Sequence, residues 1–391
     1  MARRANAVDS AIRMRQRLID RSQAIKRYGV STFSGTQMRR YYDSGLIPDD
    51  FFRVFNPVKP EKKRRLNPVY DPDFDMYFDT LMDYPTVIQG KMGGRWEQYN
   101  RMIAVQVAAC TPFDCWHCYL DEELKRGKLC TFVTAAQLVD SFIQQRERDR
   151  QAGLEDNVLR ITGGEPFLLP DLILDCLSEI KGRGLDKEVF IWTETNLSPF
   201  LKRAGSARSI VEEWLAEEGK SLSELAQYKN FCVHPCLHGI SKQNMEWITR
   251  AVDPECFEGL LEGLRILIEY GIDIYPTFGA NMSPPELLPE IFSKMVSIHR
   301  NLPLRFALIN YELNYEQVLL RMKTNSQRYS MVYNKDLVIA LWDELIRKEY
   351  TGVYGPMVGY ATIPRHLVSL GGNNNCSYSK DRTIQNTNAE S

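Results

Sequence analysis

The stretch Met102-Ile103-Ala104-Val105-Gln106-Val107-Ala108-Ala109-Cys110-Thr111-Pro112-Phe113-Asp114-Cys115-Trp116-His117-Cys118-Tyr119 decides the fold. Its first half is an apolar run of strand length, and its second half is a loop with three thiols spaced C-x4-C-x2-C. Thiolates are soft ligands suited to iron–sulfur clusters, zinc or Cu(I). Three of them can hold a cubane cluster and leave one iron open for a ligand, which makes a reactive site. The same loop could instead be a zinc site completed by His117 or a distant ligand, or contain a redox-active pair.

Outward from this stretch, strands alternate with amphipathic helices. Strands are expected at residues 102–109, 157–162, 188–193, 230–237, 272–278 and 304–309. Helices are expected at 134–150, 169–181, 206–227, 256–270 and 285–300. This alternation implies parallel strands with right-handed crossovers. Six units suit an α/β fold of the open, partial (β/α)6 TIM-like barrel type, whose sites lie at the C-terminal ends of the strands.

Four strand ends therefore fall on one rim. They carry the cysteine loop, Gly163-Gly164-Glu165-Pro166, Thr193-Glu194-Thr195-Asn196 and Leu237-His238-Gly239. On these residues the chain resembles the radical SAM superfamily, and its activating-enzyme-like branch in particular. That family has a cysteine loop after its first strand, usually C-x3-C-x2-C, and a Gly-Gly-Glu-Pro turn after the second. Cys115-Trp116-His117-Cys118-Tyr119 is similar to its C-x-H-C-Y ending, and Thr193-Glu194-Thr195-Asn196 to its E-T-N turn. The departure is the loop, where four residues rather than three separate Cys110 from Cys115; a bulge at Pro112-Phe113 would absorb the extra one.

The resemblance implies that Cys110, Cys115 and Cys118 hold a [4Fe-4S] cluster whose open iron takes S-adenosyl-L-methionine. One electron would cleave it to methionine and a 5′-deoxyadenosyl radical that abstracts a substrate hydrogen atom. Gly163, Gly164, Glu165, Pro166, Thr193, Thr195, Asn196 and His238 are its implied cofactor-binding residues. A small molecule or natural-product intermediate is the favoured substrate, with a peptide, protein or RNA as the alternative. The electron donor would be a reductase or a ferredoxin- or flavodoxin-type protein. The competing class is a zinc-binding or nucleic-acid-binding module on a barrel scaffold, against which the intact Gly163-Gly164-Glu165-Pro166 turn argues.

The ends of the chain differ from its middle. Residues 1–99 form a basic, Pro-punctuated extension, residues 100–310 the barrel, and residues 311–391 a helical C-terminal extension with a polar tail. Residues 1–65 carry 16 Lys or Arg against 6 Asp or Glu, while the 391-residue chain has a net charge of −1. The remainder is thus net acidic, and the arm can dock on its own chain. A nucleic-acid partner would match the charge, but no stacking-aromatic platform or zinc-knuckle pattern accompanies it. A thin apolar stripe places a surface or partner-binding helix at residues 10–28, residues 45–75 read as a wrapping linker, and residues 335–349 as an amphipathic helix against the barrel. No apolar run reaches the roughly 18 residues of a membrane span. Nine cysteines and no secretory h-region suggest a reducing, cytoplasmic setting. Cys232 and Cys236 are candidates for an auxiliary cluster or redox pair. Asn281, Arg305, Asn310 and Glu312 are pocket candidates by position.

Overall fold

The structure, a computed structural model, describes residues 2–20, 26–31, 52–55, 84–99, 101–110, 112–120, 122–128, 130–250, 256–311, 313, 316–323, 332–360, 362–363 and 365–371. Most of residues 45–75 lies outside this set, as do Glu312 and the C-terminal tail.

The chain opens with helix α1 (Ala2–Leu18), so the helix expected over 10–28 starts earlier and stops at Leu18. Its buried stripe is Ala7, Val8, Ala11, Arg15 and Leu18. Small side chains let the helix approach closely, which is why the stripe looks thin on a hydrophobicity reading. The Arg15 guanidinium donates to the Leu168 carbonyl at 2.8 Å and to Asp171 Oδ1 at 2.9 Å, and lies 4.9 Å from the centre of the Trp214 ring. Lys26 joins the same carboxylate. The described start of the basic arm thus docks on acidic groups of its own chain.

The chain then forms β1 (Ile19–Asp20), β2 (Arg27–Ser31) and β3 (Phe52–Phe55), followed by α2 (Tyr84–Met92). β4 (Met102–Val107) is the first parallel strand, and α3 (Glu122–Lys125) and β5 (Cys130–Val133) follow the cysteine loop. β2 pairs antiparallel with β1, β4 and β5, while β3 pairs antiparallel with β4. The N-terminal extension therefore adds strands to the sheet, which the linker reading did not anticipate.

The parallel part consists of β4, β6 (Val158–Gly163), β7 (Phe190–Thr195), β8 (Phe231–Leu237), β9 (Thr277–Gly279) and β10 (Ala307–Ile309), in that order. Register runs Ile103↔Leu159, Leu159↔Ile191 and Ile191↔Phe231. The sheet does not close, and the protein is an α/β partial barrel of six parallel strands. The last two strands are shorter than expected. Pro276 has no N–H for a ladder just before β9, and Pro303 starts a short helix, α11 (Leu302–Arg305), where the sixth strand was placed.

Of the crossover helices, α4 (Ala135–Gln151) begins at the expected Thr134 cap, which accepts from Gln137 N at 3.1 Å. α5 (Pro170–Gly182), α9 (Cys256–Glu269) and α10 (Leu288–Ile298) agree closely with expectation. The helix expected over 206–227 is two, α6 (Ile210–Glu217) and α7 (Leu222–Ala226), because Gly219 turns the chain at φ +68°. α8 (Lys242–Thr249) lies on the rim, and α12 (Glu316–Lys323) follows β10. α13 (Lys335–Tyr354) packs through Val338, Trp342, Ile346 and Tyr350, whereas Leu337, counted in the expected stripe, is exposed.

Side chains alternate along the strands. Ile103, Val105, Leu159, Ile161, Ile191 and Val233 face the helices in the main core. Met102, Val158, Phe190, Trp192, Cys232, Tyr275 and Ala307 face inward and, with Val87, Ile88 and Tyr99, form an apolar floor at the N-terminal end of the barrel. No helix among the described residues is long and apolar enough to cross a membrane.

Candidate functional site

The cysteine loop is held from both sides. Its start is fixed by Cys110 N–H donating to the Lys125 carbonyl at 2.9 Å. Its middle is tied to the end of α8 by Asp114 N–H on Thr249 O at 2.8 Å and Trp116 N–H on Ile248 O at 3.2 Å. Trp116 is buried among Ile248, Met282, Val318 and Met322, so the C-terminal helix α12 packs over the loop. Thr111 lies outside the described residues, so the bulge expected at Pro112-Phe113 is not assigned; Phe113 is buried and meets the His238 ring edge-on, centroids 6.3 Å apart.

Burial raises the pKa of all three thiols, most strongly Cys115, while the Lys125 ammonium opposes the rise at each of them. Cys110 and Cys118 each act electrostatically on Cys115, so the three sulfurs share one environment. A mononuclear zinc site would need sulfurs about 4 Å apart around one ion. A cubane cluster needs them more widely spread, since each thiolate takes its own iron, and its positive irons would stabilise the buried thiolates. The donor set fits a cluster held by Cys110, Cys115 and Cys118. The eight described cysteines are free thiols.

The next two rim turns are laced onto this loop. Gly163 has φ +97°, and a Cβ on Gly164 would lie 1.7 Å from the Ala109 carbonyl oxygen. That close approach lets Gly164 N–H donate to Val107 O at 3.0 Å and Glu165 N–H to Ala109 O at 2.7 Å. Ala109, just before the first cysteine, takes φ +113°, a strained backbone for a non-glycine residue. The Glu165 carboxylate is fully buried and accepts from Phe167 N–H at 2.8 Å, Thr195 Oγ1 at 2.8 Å and Asn196 N–H at 2.6 Å. Burial pushes its pKa up to about 7 against those three donors. Asn196 Nδ2 then reaches Cys110 Sγ at 3.3 Å. Glu165 in this state is a brace between turns, with its charge directed at protein donors.

Thr193 is the outlier, since its hydroxyl donates to Ile161 O at 3.2 Å within the sheet. Pro166 is buried and opens a 3-10 turn. His238 stands at the rim, Nδ1 3.4 Å from the Tyr311 hydroxyl, with its pKa lowered to about 4 by burial. His117 stacks obliquely on Tyr311, centroids 4.1 Å apart. Asn281 holds Tyr311 through two backbone bonds of 2.9 and 3.0 Å. Arg305 is elsewhere: it precedes β10 and pairs with Asp273 at 2.7 Å beside Tyr275, at the floor. Cys232 and Cys236 point into the barrel at different depths; four residues of strand separate them by roughly 13 Å, too far for one redox pair.

Sequence reading missed a polar layer between floor and rim. Arg160 Nε donates to Glu194 Oε1 at 2.8 Å, Thr162 donates to Glu194 Oε2, and His234 Nε2 lies 2.9 Å from Thr277 Oγ1. Burial acts to raise Glu194, but the Arg160 guanidinium and the Thr162 hydroxyl hold it below the usual carboxylate range. Burial lowers His234 to about 4. Gln106 completes the layer, donating to Tyr119 Oη at 2.9 Å while its buried Oε1 has no partner among the described residues. The available signal was charge inside largely apolar strands: Arg160, Glu194 and His234 each sit on the inward face of a strand rich in Val, Leu, Ile, Phe or Trp.

A cavity of about 270 Å³ opens at the other end of the barrel, lined by Tyr99, Arg146, Glu155, Asp156 and Glu188 among others. Burial, with a hydrogen bond to Asp149, raises Asp156 to about 7. It lies beneath the N-terminal ends of β6 and β7, away from all four rim turns.

Residues 98–216 match the model of a family described as a 4Fe-4S single cluster domain. The matched segment is just under a third of the chain. It contains all three loop cysteines and both laced turns. No curated protein matches the chain. Among solved structures, SuiB of Streptococcus suis bound to precursor peptide SuiA is 14% identical, with 64% of this chain and 54% of that chain covered and a TM-score of 0.38. A radical SAM methyltransferase from Sphaerobacter thermophilus is 15% identical over 58% of this chain and 64% of that one, TM-score 0.36. anSMEcpe with bound AdoMet and the Cp18Cys peptide is 12% identical over 64% and 60%, TM-score 0.39. The chain spans between about half and two thirds of the length of these three structures.

Proposed function

We propose that the protein is a radical SAM enzyme. The observation that carries this is the lacing of the three-thiol loop, the Gly163-Gly164-Glu165-Pro166 turn and the Thr195-Asn196 turn into one rim above a polar, floored lumen. The 4Fe-4S family match over residues 98–216 supports it. A cluster on Cys110, Cys115 and Cys118 with S-adenosyl-L-methionine would supply a 5′-deoxyadenosyl radical for hydrogen abstraction.

The chain's own residues do the rest. Gly163 and Gly164 let the β6 turn pack directly against Gln106 and Ala109, and Thr195 and Asn196 are fixed there by Glu165. His238 and His117 present neutral imidazoles beside Tyr311, and Trp116 with α12 excludes water from the loop. The substrate's reacting group stands between rim and floor, where Gln106, Glu194, His234 and Thr277 offer hydrogen bonds. The floor of Trp192 and Tyr275 limits its depth. We read the substrate as a small polar molecule, with a single peptide side chain as the other group of fitting size. A ferredoxin- or flavodoxin-type carrier is the electron donor in this reading.

The test is anaerobic reconstitution with iron and sulfide, reduction, addition of S-adenosyl-L-methionine and chromatographic detection of 5′-deoxyadenosine. A cluster-loaded protein that forms none, with or without candidate substrates, refutes the proposal.

A further inference from the structure

Helix α1, from the N-terminal extension, stands behind the rim and meets all three of its laced turns. Arg15 Nη1 donates to the Leu168 carbonyl at 2.8 Å and to Asp171 Oδ1 at 2.9 Å, where the chain leaves the Gly163-Gly164-Glu165-Pro166 turn. Leu168 N–H in turn donates to the Glu165 carbonyl at 3.0 Å, so a short path runs from Arg15 to the residue that braces the rim. α1 also runs beside the 3-10 turn Ser198–Phe200, which follows Thr195 and Asn196. Phe200 of that turn meets Phe167 of the first, ring centroids 5.2 Å apart. On the cysteine side, a Cβ on Gly127 would lie 3.5 Å from Met14 Sδ and 3.2 Å from Ala109 Cβ, so Met14 and Ala109 close on the same glycine.

The chemistry of Arg15 is out of keeping with a helix that only adds stability. Its residue is 5% exposed, its guanidinium lies 4.9 Å from the centre of the Trp214 ring, and its Nη2 is buried with no partner among the described residues. Burying a guanidinium is costly, and an unpaired nitrogen adds to the cost. An apolar side chain of similar volume often fills such a place at least as stably. What an apolar side chain cannot supply is a directed bond to a main-chain oxygen beside the turn. The rim needs such support, because Ala109 holds φ +113°, a conformation that persists only where its surroundings enforce it.

We propose that α1 is a clamp for the cofactor rim and that Arg15 is a positioning residue for the Glu165 turn. The affinity for S-adenosyl-L-methionine then depends on a helix that precedes the barrel. This rests on the reading of the rim as an S-adenosyl-L-methionine site.

The experiment uses the full chain. On the protein without cluster, hydrogen–deuterium exchange compares peptides covering residues 163–169 with peptides covering α13 as an internal reference. Arg15→Gln should speed exchange in the turn about tenfold and in α13 by less than about twofold. On cluster-loaded protein, equilibrium dialysis with labelled S-adenosyl-L-methionine should show about tenfold weaker binding at unchanged iron content. Arg15→Lys keeps the charge and a donor for each acceptor, and should bring both readouts back to within about threefold of wild type. Equal acceleration in the turn and in α13 means that Arg15 serves global stability alone, and it overturns the proposal. Unmoved affinity in Arg15→Gln overturns it as well. Should Arg15→Gln fail to fold, Arg15→Met fills the same volume without the directed bonds and is decided by the same two ratios. A loaded wild-type chain that forms no 5′-deoxyadenosine refutes the proposed function and this inference together. A wild-type chain that forms it, with turn exchange and affinity unmoved in the variants, refutes only the inference.

Discussion

Gly164→Ala tests the hinge of the whole site. The added Cβ would lie 1.7 Å from Ala109 O, 2.3 Å from its carbonyl carbon and 2.9 Å from its nitrogen. All three are main-chain atoms of the residue that precedes Cys110, and no side-chain rotation relieves the overlap. The two strands must separate by well over an ångström, which breaks the bonds from Gly164 N–H to Val107 O and from Glu165 N–H to Ala109 O. Each buried group left unpaired costs about 1–3 kcal/mol, and overpacking adds about 1–3 kcal/mol. The expected loss is about 3–9 kcal/mol in urea titration, together with loss of iron uptake because Cys110 moves with Ala109. Gly352→Ala is the control: it lies within α13 with nothing within 4 Å of a Cβ and no positive φ. It should stabilise by about 0.5–1 kcal/mol. If Gly164→Ala binds iron normally and loses under 1 kcal/mol, the lacing of the two turns is not what holds the loop.

Other expectations follow from the same geometry. Cys115→Ala should abolish cluster assembly, measured as bound iron and visible absorbance; retained iron would exclude it as a ligand. His234 and His238 are held neutral by burial at about 4. Unfolding lets each take up a proton near pH 6.5, so stability is present above that pH and is lost as pH falls toward 4. The bound is about 3.4 kcal/mol per group, from 2.5 pH units at about 1.36 kcal/mol each, and replacing His234 by Gln should flatten the curve between pH 4 and 6.5. Asp171→Asn leaves the buried Arg15 without its counter-charge, while Lys26 keeps Glu218 at 2.9 Å, and should cost about 3–5 kcal/mol, read as a lowered urea midpoint with early proteolysis of α1.

The Glu165 carboxyl has the opposite sign to the histidines. Its folded pKa near 7 exceeds the unfolded value, so its contribution is greatest below about pH 4.5 and is lost as pH rises through 7. Replacing it by Gln should reduce that alkaline loss, seen by comparing urea midpoints at pH 5 and pH 8; identical pH profiles would contradict the burial of this group.

Strand period, turn residues and thiol spacing are local properties, and they sufficed to determine the βα order, the rim on which the motifs meet and the cysteines that share an environment. Gly163-Gly164 was legible as a close approach because only glycine permits it. What the side chains on that rim do depends on partners far along the chain. Glu165 looks like a charge awaiting a ligand until Thr195 and Asn196 are seen to fill it. Arg305 looks like a rim residue until Pro303 shortens the sixth strand and leaves it at the floor. Arg160, Glu194 and His234 become one network only when three strands set them at one depth, and Arg321 meets Cys118 across 203 residues. Sequence alone fixes which residues a strand end offers; burial, register and long-range hydrogen bonds decide which of them remain available, because a buried polar group must find its partner wherever the fold brings one.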